Sequence, residues 1–376
     1  MKLAVIGTGR IVHEALSAMK DLIEEGRIEL SAVFAREHSR AVGEELARQY
    51  GIGQVFTDFD ELLHAGGADT VYIGLVNSAH YQYAKKALEA GYYVILEKPL
   101  TESYHEAAEL MTLAAAKDRF VLEAMTVFHS PAFDAVQKAL PRIGAPKLLL
   151  ADYSQYSSRY DDYLQGKIAP AFENTPTGGA LPDINIYNIA WCVGLFGKPD
   201  GVAYFPNRGW NGVDTSGTAV LTYKGENTAG AGKKSASGRA ERTGTGFTAV
   251  LTGAKDCDGT SFVEVQGEKG FVRLEGKPNS AGKVIVHAVH EGDAPAAGNG
   301  VKLSAAGSID RQMDVETYDF TGAGHRMTRE FRDFAGIIDT HDSTEALKLE
   351  MLSLTMMEVL ERARAGRNEE SYKTND

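Results

Sequence analysis

With 376 residues, 43% hydrophobic and 24% charged, the chain is too long for one ordinary domain and has the composition of a globular protein, not a disordered one. Its net charge of −12 repels phosphate backbones and anionic headgroups, so no nucleic-acid or membrane partner is expected, and a polyanionic ligand must be held by local donors. Two cysteines, Cys192 and Cys257, exclude a disulfide framework or a zinc cluster and fit a reducing compartment.

Lys2–Gly7 reads as a buried strand from the second residue, which leaves no signal peptide, and no apolar run reaches membrane-span length; a cytoplasmic protein is expected. Further strands are expected at Glu29–Ala35, Val55–Thr57, Thr70–Leu75, Tyr93–Glu97 and Phe120–Ala124. Helical patterns at Glu14–Glu25, Arg40–Tyr50, Phe59–Leu63, Tyr81–Ala90 and Tyr104–Ala116 separate them. Alternation of this kind predicts a parallel sheet covered on both faces, and six strands match a dinucleotide-binding α/β Rossmann domain over residues 1–125.

From about Ser130 the rhythm changes. A helix at Phe133–Leu140, a strand at Lys147–Gln155 and a helix at Leu181–Phe196 are followed by strand patterns at Gly217–Tyr223, Phe247–Leu251, Ser261–Gln266, Phe271–Leu274, Lys283–Val289 and Gln312–Tyr318. Strands without intervening helices predict a large, mostly antiparallel open sheet in an α+β domain over residues 126–376. Gly225–Gly246, rich in Gly, Ala, Ser, Lys and Arg, reads as a long mobile loop. Helices at Met327–Asp339 and Thr344–Ala365 and a polar tail end the chain.

Gly7-Thr8-Gly9-Arg10-Ile11-Val12 joins the first strand to the first helix. Gly7 permits the tight turn, Gly9 lets a pyrophosphate approach the backbone, and N–H groups at the helix start, from Arg10 and Ile11 onward, point at the phosphates. Alone, Gly-x-Gly is a strand-ending turn; placed between an apolar strand and a helix it points to a dinucleotide. Val12 stands where Gly or Ala is usual, which predicts a slightly wider helix–strand separation. After the second strand comes Ala35-Arg36, then Ser39-Arg40, where an NAD-specific protein usually carries Asp or Glu. Arginines there suit a 2′-phosphate, so NADP is the expected cofactor, with Glu37 keeping NAD as the alternative.

Tyr93-Val94-Ile95-Leu96-Glu97-Lys98-Pro99 is an apolar strand ending in two charges and a proline that keeps Lys98 extended. Lys98 thus stands at the C-terminal edge of a parallel strand, where open α/β sheets bind ligands, although a strand-ending lysine is in itself an ordinary solvated charge. Gly178-Gly179-Ala180-Leu181-Pro182-Asp183-Ile184-Asn185-Ile186-Tyr187 opens a helix, with proline in its first turn and Asp183 and Tyr187 four residues apart on one face.

The Gly-x-Gly turn followed by Glu97-Lys98-Pro99 resembles the glucose–fructose oxidoreductase / inositol dehydrogenase / rhizopine-catabolism (Gfo/Idh/MocA) family over nearly the whole chain. Asn77-Ser78-Ala79-His80 is similar to that family's segment before the fourth helix near the nicotinamide, with Val76 where proline is common. The resemblance implies that Asn77, His80, Glu97 and Lys98 lie against the cofactor and that Lys98 also reaches the substrate's reacting oxygen. Gly178–Tyr187 resembles the family's Gly-Gly-…-Asp-…-His motif, with Tyr187 for His, as in branches resembling glucose–fructose oxidoreductase and dimeric dihydrodiol dehydrogenase. This implies an NAD(P)-dependent oxidoreductase acting on a sugar, polyol or related small hydroxy/oxo compound.

In that reading Tyr187, of ordinary pKa about 10, exchanges the proton on oxygen with help from the Lys98 ammonium, and Asp183 holds Lys98 or orients the substrate. The sequence leaves open which of Tyr187 and Lys98 donates the proton. Two rivals stay in view: a non-redox enzyme using tightly bound NAD for transient oxidation, and a cofactor-binding sensor without catalysis. The histidines show no metal-ligand spacing, so no metal is assigned. The resemblance also implies a homodimer or homotetramer built through the open sheet face.

Overall fold

Runs of apolar residues set the first layer: Leu3–Ile6, Val71–Ile73 and Val94–Leu96 are fully buried, as central strands must be when helices cover both faces of a parallel sheet. The computed structural model describes residues 1–225, 246–290 and 312–366. In chain order the layer comprises β1 (Lys2–Ile6), α1 (Arg10–Glu24), β2 (Glu29–Phe34), α2 (Arg40–Tyr50), β3 (Gln54–Phe56) and α3 (Phe59–Ala65). It continues with β4 (Thr70–Ile73), α4 (His80–Glu89), β5 (Tyr93–Glu97), α5 (Tyr104–Ala116) and β6 (Val121–Ala124). The sheet order is β3-β2-β1-β4-β5-β6, parallel throughout. The order reverses between β1 and β4, which opens a crevice at their C-terminal ends.

The chain then passes through α6 (Pro131–Ala139), β7 (Pro146–Ser154), α7 (Tyr160–Leu164) and α8 (Ile186–Phe196). Seven strands follow: β8 (Gly201–Arg208), β9 (Asp214–Tyr223), β10 (Phe247–Ala254), β11 (Phe262–Gly267), β12 (Gly270–Glu275), β13 (Lys283–Val289) and β14 (Met313–Asp319). They join β7 in one sheet of order β14-β13-β12-β11-β7-β10-β9-β8. Within this sheet only the β7–β10 pair is parallel among the described strands. Alternate residues, among them Leu149, Ala151, Ala249, Leu251, Val263, Val265, Val272 and Leu274, turn inward and are buried, the period-two signature of a sheet with one covered face. The covering element is α8, buried along nearly its whole length. Last come α9 (Arg326–Thr340) and α10 (Ser343–Ala365). Phe331 and Phe334 of α9 share a core with Leu16, Met19 and Leu22 of α1, so the C-terminal helices return to the first layer.

All six expected strands of the first layer form. Helix α1 starts at Arg10, earlier than the Glu14 of the pattern, because Gly9 adopts the extended conformation of an N-cap. Two elements were not foreseen. The edge strand β8 carries Pro206 and Asn207 and is largely exposed, so it lacks an alternating signal. Helix α7 has five residues, too few for a helical period. The expected loop at 225–246 and the polar tail fall almost wholly outside the described residues. No helix among the described residues is long and apolar enough to cross a membrane.

Candidate active site

Two features of the turn after β1 fit the pyrophosphate of a dinucleotide. Gly7 has φ +121°, and a Cβ there would lie 2.7 Å from the carbonyl oxygen of Gly74, so the approach of β1 to β4 requires glycine. A Cβ on Gly9 would meet nothing within 4 Å, which leaves the outer side of the turn open, and no side chain caps the start of α1. The helix N–H groups and the positive end of its dipole therefore face an accessible space. Val12 is fully buried, with Cγ2 2.8 Å from where Gly74 would carry a Cβ. Room for a valine at this position thus comes from the glycine that follows β4.

The remaining nucleotide-side candidates line the same edge. Arg10 is exposed and paired with Glu14 at 2.9 Å, and Ile11 is half-buried. Arg36 is exposed directly after β2. Arg40 is exposed too, with Glu37 at 3.6 Å and Glu44 at 3.4 Å. Asn77 opens a short 3₁₀ turn ahead of α4 and is half-buried.

The structure brings Lys98, Asp183 and Tyr187 together. Lys98 Nζ donates to the carbonyl oxygen of Asp183 at 2.8 Å and to its Oδ1 at 3.0 Å, and lies 5.1 Å from the centroid of the Tyr187 ring. The expected single α-helix is a π-turn over Leu181–Asn185 that continues as α8. Within it the Asp183 carbonyl receives Lys98, the kind of helical irregularity that recurs at functional sites.

The glycine pair explains how this turn is seated. A Cβ on Gly178 would fall 1.9 Å from the Glu173 carbonyl oxygen, and one on Gly179, whose φ is +97°, would fall 2.2 Å from Asp214 Oδ1. Asp214, fully buried, accepts from the Leu181 N–H at 2.8 Å and from the Tyr204 hydroxyl at 2.6 Å. On the other side Asn185 and Asn188 donate to the β10 carbonyls of Leu251 and Thr252. The site helix is thereby tied to the second sheet by polar contacts that only this register satisfies.

Two members of the site were missed in the sequence, and a third, Tyr153, reads there as packing on the segment leading to the Gly178 turn. Asp214 is one. Lys255, directly after β10, donates to Asp183 Oδ2 at 2.7 Å; seventy-two positions separate the two, so no local spacing betrays the pair. Tyr153 of β7 packs its ring against Tyr187 at a tilt of 51°, with centroids 5.8 Å apart, and burial followed by Tyr187 pushes its hydroxyl up to about 12. A signal existed for Lys255: a lysine closing an apolar strand, the same signature as Lys98.

Two residues expected against the cofactor, His80 and Glu97, have buried side chains. His80 is fully buried, with Nδ1 3.0 Å from the Pro99 carbonyl and Nε2 3.3 Å from that of Leu75. Burial lowers its pKa to about 4, so the ring is neutral and has one N–H, to give to one of these two carbonyls, and it does not line the cleft. Glu97 is buried as well; its carboxylate accepts from the Tyr72 hydroxyl at 2.8 Å and from the Lys98 N–H at 3.3 Å. A side chain that alternates with Lys98 along the strand must point away from it.

Electrostatics separate the roles. Burial opposes the charge on Lys98, but Tyr187, Asp183 and Glu97 outweigh it and hold the ammonium above the ordinary lysine range. Burial likewise opposes ionisation of Asp183, yet Lys98 and Lys255 pull it below the ordinary aspartate range. A permanent ammonium at the edge of a parallel sheet, beside a phenol, suits stabilisation of charge developing on a substrate oxygen.

Residues 1–125 match the Gfo/Idh/MocA family, described as an oxidoreductase family with an NAD-binding Rossmann fold. The scyllo-inositol 2-dehydrogenase (NADP(+)) IolU of Bacillus subtilis (strain 168) is 31% identical over 275 residues, which is 73% of this chain and 76% of that protein. The chain belongs to the Gfo/Idh/MocA oxidoreductase family. The trans-1,2-dihydrobenzene-1,2-diol dehydrogenase of Homo sapiens is similar to this Gfo/Idh/MocA chain at 26% identity over 230 residues, 60% of the chain and 66% of the relative. Among solved structures, KijD10, a 3-ketoreductase from Actinomadura kijaniata in complex with NADP and TDP-benzene, aligns with a TM-score of 0.72 and 23% identity over 97% of both chains, a likeness of fold. As a Gfo/Idh/MocA protein the chain is an NAD(P)-dependent oxidoreductase acting on hydroxyl groups, and its two-sheet architecture is that of the family.

Proposed function

We propose that this protein is an NADP-dependent dehydrogenase or reductase that transfers hydride to or from the carbinol or carbonyl carbon of a sugar, polyol or related small hydroxy/oxo compound. The observation that carries the reading is the convergence of Lys98, Asp183 and Tyr187 at the C-terminal edge of β5, beside the crevice at the C-terminal ends of β1 and β4. In this reading residues 1–125 hold the dinucleotide and residues 126–376 supply the substrate side. Bound NADP(H) supplies the hydride acceptor or donor. Gly7 and Gly9 with the N–H groups of Arg10 and Ile11 hold its pyrophosphate, Arg36 and Arg40 its 2′-phosphate, and Asn77 flanks the nicotinamide.

Lys98 donates an N–H to the reacting oxygen and stays charged, because Asp183 holds its ammonium. Tyr187 therefore exchanges the proton on that oxygen. Two similar proteins support the cofactor and substrate class: the Bacillus relative is an NADP(+)-dependent scyllo-inositol dehydrogenase, and the ketoreductase structure holds NADP.

Fluorescence titration with NADPH and NADH tests the nucleotide half. NADPH is expected to bind more tightly, and Arg36→Ala to weaken NADPH by about tenfold while leaving NADH within about twofold, the loss of one charge-assisted phosphate contact. Tighter binding of NADH would overturn the NADP assignment.

A further inference from the structure

Asp183 is shared between two ammonium groups: Oδ1 lies 3.0 Å from Lys98 Nζ and Oδ2 2.7 Å from Lys255 Nζ. Lys255 also donates to the Ala171 carbonyl at 2.6 Å, and its ammonium sits 4.3 Å from the centroid of the Phe172 ring. Its side chain is 3% exposed, and Phe172 is itself stacked on Tyr163 at 4.9 Å. A lysine held so deeply in an aromatic wall is unfavourable unless its charge is matched. A neutral donor would satisfy the same two oxygens, so the charge is what a lysine adds. An ammonium has three donors; Lys98 uses two on Asp183 and keeps one.

We propose that Lys255 is a positioning residue for the reaction: it holds the Asp183 carboxylate ionised and in place, so that Lys98 keeps its third N–H for the reacting oxygen. The inference rests on the reading of Lys98, Asp183 and Tyr187 as the reacting site. Lys255 transfers no proton and acts only through Asp183. The other charged and titratable groups around the cluster are Tyr187 and Glu97 beside Lys98, Tyr153 from β7, Arg326 from α9, and Asp256, whose carboxylate accepts from Thr215 and Ser216. Loss of a positive charge makes protons in the cluster harder to remove, so titrations there move to higher pH.

The test uses Lys255→Met and Lys255→Gln, the second retaining hydrogen-bond donors without charge and guarding against a variant that does not fold. In cofactor-free protein labelled with ¹³C at aspartate carboxyls, the Asp183 signal, assigned by its loss in Asp183→Asn, is expected to titrate at least about one pH unit higher in both variants than in the parent. This readout needs no substrate, so it separates failure of the inference from failure of the reading beneath it. In turnover both variants are expected to lower kcat by roughly 10- to 100-fold with NADPH binding unchanged, and to move the acidic limb of the oxidation profile to higher pH. Added to Asp183→Asn, Lys255→Met is expected to change kcat by no more than about twofold, as required of a residue acting through Asp183. An unmoved Asp183 titration, or losses that multiply in the double variant, would overturn the proposal.

Discussion

Replacing Lys98 by methionine is expected to lower kcat/KM by about a thousandfold or more, with NADPH binding within about tenfold of the parent. The argument starts from geometry. Lys98 is held at the end of β5 by two hydrogen bonds to Asp183, and its ammonium lies over the Tyr187 ring. Charge that develops on the substrate oxygen meets this ammonium in a part-buried site, where a preorganised donor is worth far more than in water. Methionine keeps the length of the side chain and its packing but removes the charge, leaving the Asp183 carboxylate with Lys255 alone. Because the nucleotide turn at Gly7–Val12 is built by other residues, the loss belongs in the chemical step. Steady-state kinetics with a fluorescence measurement of NADPH binding separate the two, and activity within tenfold of the parent would remove Lys98 from the mechanism.

Gly179→Ala is expected to destabilise the fold by about 3 kcal/mol or more, the sum of a strained backbone and a steric collision. At φ +97° an alanine is strained wherever it stands, and here its Cβ would fall 2.2 Å from Asp214 Oδ1 and 3.1 Å from the Asp214 carbonyl oxygen. Asp214 has no freedom to withdraw, since it holds the Leu181 N–H and the Tyr204 hydroxyl. Gly166→Ala provides the comparison: φ is +86°, but the Cβ would meet nothing within 4 Å, so only strain of about 1 kcal/mol applies. Denaturant unfolding of both variants isolates the contact with Asp214. Equal losses would show that the glycine pair answers a backbone requirement and not the packing that seats Asp183.

Much of this architecture was legible because its signals are local. The central strands β1, β4 and β5 are buried and largely apolar runs, and the Gly7–Val12 turn sits directly between β1 and a helix. The Gly-Gly-…-Asp-…-Tyr segment announced its helix through Pro182, whereas its reading as a site came from the resemblance to the family's motif. What escaped was information carried across the fold. Lys255 finds Asp183 only after β10 is laid beside β9 and β7, and Asp214 is a partner of the glycine pair only through space. His80 and Glu97 illustrate the reverse failing. Each stands in a motif, but which way its side chain points follows from strand alternation for Glu97, which turns inward to Tyr72, and from burial for His80, which faces two carbonyls. The π-turn at Leu181–Asn185 has no sequence signature beyond the residues it serves, since it forms where the Asp183 carbonyl is taken by Lys98.

The central claim is that this site moves a hydride, and following isotope from substrate to nucleotide tests it most directly. Purified protein would be incubated with NADP⁺ and a panel of cyclic polyols and sugars deuterated at their carbinol carbons, and the recovered nucleotide examined by mass spectrometry and NMR. Net formation of NADPH carrying deuterium on one face of nicotinamide C4, lost in Lys98→Met, is the predicted result. Substrate turnover with the nucleotide returned unlabelled and unreduced would contradict it, and would point instead to a non-redox enzyme that oxidises its substrate only transiently.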